Sequence, residues 1–142
     1  MERKTVIITG GGQGIGKVTA LELAKKGHQA VILEIDQEAG AETVAESEGE
    51  IFFIPCDVAD EGQVRSAVEQ VQSEFGRLDA IVNNAGIGAN GPVEDLTLAD
   101  WNRVLAVNLT APFLLAKYGA PHLRKTKGSI VNLCSTRAHM SE

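Results

Sequence analysis

Five short apolar, β-prone runs punctuate the chain, at residues 5–9, 30–33, 51–54, 80–82 and 129–133. None alternates polar with apolar, which is the pattern of strands buried on both faces of a parallel sheet. Between the runs the period changes. In DEGQVRSAVEQVQSEFG, residues 60–76, the positions Val64, Ala67, Val68, Val71 and Phe75 recur along one helical face, and Asp60 with Gln63 is spaced as a capping box. Thr97 and Asp100 repeat that spacing after a Gly-, Asn- and Pro-rich surface loop over residues 86–96, so a helix carrying Trp101 is expected to start there. Strand and helix alternating from end to end predict a doubly wound α/β domain with right-handed crossovers and helices on both faces. No internal repeat, low-complexity tract or linker divides it, so residues 1–142 are read as one domain.

The first strand runs into VIITGGGQGIGK, which sets Gly10, Gly14 and Gly16 between a strand and a helix. Glycines there let the backbone turn tightly and approach a pyrophosphate, whose charge rests against the N–H end of the helix. Gly11, Gly16 and Lys17 also fit the frame of a phosphate-binding loop for nucleotide hydrolysis, but Val18 stands where a magnesium-binding hydroxyl is required. The second strand, in AVILEID, carries Glu34 to its C-terminal end. A carboxylate there can accept both ribose hydroxyls of an adenosine and would repel a 2'-phosphate, by roughly 4 kcal/mol per unit charge at about 4 Å and an effective dielectric near 20; the alternative is a solvated acid at a strand end. Gln13 and Ile35 beside it are neutral, which points to NAD rather than NADP. Asp36 either shares this role or caps the next helix.

Five motifs in register carry a resemblance. TGGGQGIG at 9–16, CDV at 56–58, NNAG at 83–86, VNLTAPF at 107–113 and GSIVNLCS at 128–135 are similar to the successive motifs of the short-chain dehydrogenases/reductases. That resemblance implies a Rossmann-like sheet of order 3-2-1-4-5, the family's later strands and helices being absent. It implies an NAD-dependent oxidoreductase that interconverts an alcohol and a ketone by hydride transfer, these residues being its cofactor-binding half. Gly10, Gln13, Gly14, Ile15, Gly16 and Glu34 would hold the dinucleotide. Asp57 would accept the adenine amine with Val58 beside the ring, and Asn84, Ala85 and Gly86 would line the adenosine ribose.

On the catalytic side, Asn108 lies in a helix with Pro112 four residues later, so its carbonyl loses its usual helical donor. In the family the Asn at this position holds a relay water; otherwise it is a surface Asn beside a proline kink. Ser135 would hydrogen-bond the substrate oxygen, with Cys134 where the family has a first Ser. Arg137 either faces a substrate carboxylate or phosphate or is an exposed loop arginine. The family's acid/base is a Tyr-x-x-x-Lys pair about a dozen residues after the Ser, and the 142 residues stop before it. Lys117 and Tyr118, adjacent in the preceding helix, are no substitute. The chain alone is therefore expected to bind NAD without turnover, to expose an apolar edge at its fifth strand, and to lack part of the parent's homo-oligomer interface. The competing reading is a truncated, non-catalytic module that binds NAD or a partner chain.

Composition trims the remaining options. A net charge of -6 with no Lys/Arg cluster argues against nucleic acid. The opening apolar run is too short for a signal peptide, and the longest apolar stretch, 104–116, is interrupted and short of the roughly 20 residues that span a bilayer, so a cytoplasmic protein is expected. No metal site is read. Cys56 and Cys134 would end the third and fifth strands, four sheet steps of about 4.8 Å apart and beyond the ~7 Å reach of a disulfide, so both should stay thiols.

Overall fold

The computed structural model describes residues 2–135. Five parallel strands form one sheet in the order β3-β2-β1-β4-β5, as the resemblance implied. In chain order the elements are β1 (Thr5–Thr9), α1 (Gly14–Lys25), β2 (Gln29–Glu34), α2 (Gln37–Glu46), β3 (Phe52–Pro55), α3 (Glu61–Phe75), β4 (Ala80–Asn83), α4 (Leu98–Leu105), α5 (Ala111–Thr126) and β5 (Ser129–Asn132). Alternate residues of β1 feed opposite layers. Ile7, level with Val31 of β2 and Ile81 of β4, packs with Val64 and Val68 of α3 and Leu115 of α5. Ile8 packs on the other face with Ile32 and Ala20 of α1.

The expectation of strands buried on both faces holds in the centre and fails at the edge. β1 is buried at all five positions, whereas every residue of β5 is exposed, Val131 by 49%. β5 has β4 on one side and, among the described residues, no strand on the other. Polar staples fix the starts of the central strands. Buried Asp79 accepts from Thr5 N–H at 2.8 Å and from Arg77 Nε and Nη2 at 2.8 and 2.7 Å, which ties the entry of β4 to that of β1.

The helix starts follow their sequence signals with one correction. Thr97 and Asp100 form a reciprocal capping box on α4. Asp60 caps α3 by accepting from Gln63 N–H at 2.9 Å, but the Gln63 side chain does not return the bond to Asp60. Its Oε1 accepts from Asp57 N–H at 2.9 Å, because the tight turn before α3 presents that donor within reach. Between α4 and α5 the helix widens into a π-turn over Ala106–Thr110, where the missing N–H of Pro112 interrupts the ladder. Among the described residues no helix is long and apolar enough to cross a membrane.

Candidate functional site

Parallel strands end along one edge, and strand order reverses between β1 and β4, so a crevice opens outside their C-terminal ends. A cavity of about 310 Å³ lies there. Gly10, Gln13, Glu34, Asp57, Val58, Asn84, Ala85 and Gly86, all singled out from sequence, line it together with Asp36, Cys56, Ile87, Arg103 and Val107. Five segments far apart in sequence supply these groups.

The glycine turn is knitted to the end of β4. Gly10 adopts φ +67°, and its carbonyl, with that of Thr9, accepts from Asn84 Nδ2 at 3.0 Å each. Thr9 Oγ1 accepts from the N–H groups of Asn84 and Ala85, also at 3.0 Å. A Cβ at Gly16 would stand 2.2 Å from the Gly10 carbonyl oxygen, so helix and turn approach as closely as they do because that side chain is absent. Gly14, Ile15 and Gly16 form the first turn of α1 and do not line the cavity, and Ile15 is 67% exposed. That first turn carries no acidic residue, which leaves the positive end of the helix dipole available beside the crevice.

Glu34 is already engaged. Its Oε2 accepts from Gly12 N–H at 3.0 Å, and its Oε1 from the N–H groups of Ile35 and Asp36 at 2.9 and 3.1 Å. Three of a carboxylate's roughly four lone-pair sites are thus taken, which orients the group and leaves capacity for a further donor. Asp36 resolves to the capping role: its Oδ1 accepts from Glu38 and Ala39 N–H at 3.1 Å each, although the residue also touches the cavity. Burial, then the charges of Asp57 and Asp60, push the Cys56 thiol up to about 12, so it serves as an inert wall. Cys56 and exposed Cys134 are both free thiols.

The catalytic candidates lie outside the cavity lining. Asn108, in the π-turn, uses its side chain to hold Ile87: Oδ1 accepts from Ile87 N–H at 2.9 Å and Nδ2 donates to Ile87 O at 2.8 Å. Ser135 is exposed, three residues past β5. Arg137 lies outside the described residues. Lys117 and Tyr118 both donate to Glu61 Oε1 of α3, at 2.8 and 2.6 Å, and these bonds, Lys117's first, hold the Glu61 carboxyl below its ordinary range. Sequence reasoning missed Arg103, whose Nη1 lies 3.0 Å from Asp57 Oδ2. No local spacing marks it; only the fold carries α4 over the end of β3.

The family model for short chain dehydrogenase matches residues 4–142. This chain belongs to that family. A relative described as an uncharacterized oxidoreductase of Thermotoga maritima is 40% identical, with 100% of this chain covering 57% of that one. An L-fucose dehydrogenase of Bos taurus is 39% identical over 93% of this chain and 49% of its own length. Among solved structures, a short chain dehydrogenase/reductase of Burkholderia phymatum in complex with NAD superposes with a TM-score of 0.94 at 29% identity, covering 99% of this chain and 52% of that one. The short-chain dehydrogenase segment described here therefore spans about half the length of the relatives it matches.

Proposed function

We propose that this chain is the NAD-binding half of an oxidoreductase that interconverts an alcohol and a ketone. The donor set fits a dinucleotide: a glycine turn without side chains, a helix N-terminus without an acid, and carboxylates at the ends of β2 and β3 around one cavity. The observation that carries the cofactor choice is Glu34, fixed at the cavity wall by three backbone N–H groups. A fixed anion there has room for one further donor, a ribose hydroxyl, and opposes a 2'-phosphate. Arg103, the one cation among the described lining residues, is paired with Asp57 and does not offset it.

In this reading the turn from Gly10 to Gly16 holds the pyrophosphate, Asp57 and Val58 the adenine, and Asn84, Ala85 and Gly86 the ribose. The nicotinamide supplies or takes the hydride. Ser135 orients the substrate oxygen, and the Asn108 carbonyl holds a relay water; its side-chain grip on Ile87 supports this by fixing the turn against the loop after β4. No Tyr-x-x-x-Lys pair occurs in the 142 residues, so the proton donor is assigned to the parent protein, and in this reading the 142-residue chain binds NAD without turnover. A cytoplasmic, homo-oligomeric parent acting on a small alcohol belongs to the same proposal.

Thermal unfolding tests it. At hundredfold excess over Kd, NAD should stabilise the chain by about 2.7 kcal/mol, well beyond the effect of NADP at the same concentration. Glu34→Ala should narrow that gap. Equal shifts for the two dinucleotides would remove the role given to Glu34, and steady alcohol oxidation by the purified chain would show that the acid/base lies within it.

A further inference from the structure

Asp57 is held from three directions. Its N–H donates to Gln63 Oε1 at 2.9 Å, its Oδ1 accepts from Ala59 N–H at 3.0 Å, and Arg103 Nη1 reaches Oδ2 at 3.0 Å and Oδ1 at 3.3 Å. Arg103 comes from the last turn of α4, a helix with no buried residue whose start is pinned by its capping box. The ion pair is thus a specific link from a loosely packed helix to the end of β3. As a stabilising device it is weak, because the arginine side chain is 45% exposed and such pairs contribute little. Of the carboxylate's roughly four lone-pair sites, Ala59 and Arg103 occupy two on Oδ1 and one on Oδ2, so one remains on Oδ2. Both residues line the same cavity.

We propose that Arg103 is a positioning residue for adenine recognition: by fixing the Asp57 carboxylate it aims the remaining lone pair of Oδ2 at the exocyclic amine of the base. Arg103 thereby sets selectivity for an amino-bearing purine over one carrying a carbonyl oxygen at that place. This rests on the NAD reading above, and the test separates the two.

The 142-residue chain is titrated calorimetrically with NAD and with nicotinamide hypoxanthine dinucleotide, in which a carbonyl oxygen replaces the adenine amine. The wild type should prefer NAD by about tenfold, the worth of one hydrogen bond to a charged acceptor. Arg103→Met, which keeps the apolar stem and removes every donor, should bring the two affinities together. Arg103→Lys should keep the preference, because a single nitrogen makes both contacts to Asp57. The ratio is internal to each variant, so a general loosening of the site cancels from it. Ligand-free melting checks folding, and Arg103→Gln replaces the Met variant if that one fails to fold. An unchanged preference in the donor-free variant overturns the inference, as does a rise in its preference for NAD, which would mean that Arg103 competes with adenine for Asp57. Equal wild-type binding of both dinucleotides also overturns it while leaving the NAD reading standing, and binding of neither refutes the NAD reading itself.

Discussion

β1 is buried at all five of its positions, and β5 at none of its four. Both are short parallel strands with β-branched residues at their centres, and each pairs in register with β4. The difference lies in their surroundings. β1 has a strand on each side and helices over both faces, whereas β5 has one strand neighbour among the described residues. Burial is therefore a property of position in the sheet rather than of the strand. The candidate site inherits the contrast. The turn after β1 is bound to the end of β4 by four hydrogen bonds through Thr9 and Asn84, while Ser135 follows a strand exposed at all four positions.

The contrast predicts unequal costs. Ile7→Ala, at a position with no exposure, should lose about 3–4 kcal/mol in urea unfolding, whereas Ile130→Ala, at 37% exposure, should lose under about 1 kcal/mol. Equal losses would mean that β5 is packed as firmly as β1. A smaller effect probes the polar staple of the central strands. Burial alone would raise the Asp79 carboxyl, but the Arg77 guanidinium and the Thr5 N–H outweigh it and hold the group below its ordinary range. The unfolded chain then binds the proton more readily. The contribution of Asp79 is present in full above the usual carboxylate value near 3.9 and is lost as pH falls through the lower native value. Asp79→Asn should cost about 2 kcal/mol at neutral pH and flatten the acid limb of the stability profile. An unaltered acid limb would assign that limb to other carboxylates.

The smallest expected change in stability is at the edge. Val131→Lys should alter folding free energy by no more than about 0.5 kcal/mol, yet reduce self-association in sedimentation velocity, because a lysine blunts an exposed strand edge. Unchanged association would show that contacts between copies do not use β5.

Local patterns were read where the interaction itself is local. The bounds of β1, the capping boxes and the Gly10 turn depend on residues within a few positions of one another, and all but one took the expected form. The exception, Gln63, shows the limit: its spacing from Asp60 was right, but Asp60 N–H donates instead to the Asp57 carbonyl, and Gln63 Oε1 accepts from Asp57 N–H. The grouping of Gly10, Glu34, Asp57 and Asn84 around one cavity was legible because every strand in a parallel sheet ends on the same side. Arg103 was not, because its partner lies 46 residues away and nothing near it in the chain marks the pairing.

The sequence by itself determined the periodicities, the turns and the order of secondary structure, since side-chain spacing and backbone preferences act over one or two turns of chain. Tertiary structure alone decided which apolar strand is covered, which carboxylate lone pairs remain for a ligand, and which distant arginine holds Asp57. Those depend on distances between segments, and such distances exist only once the sheet has assembled.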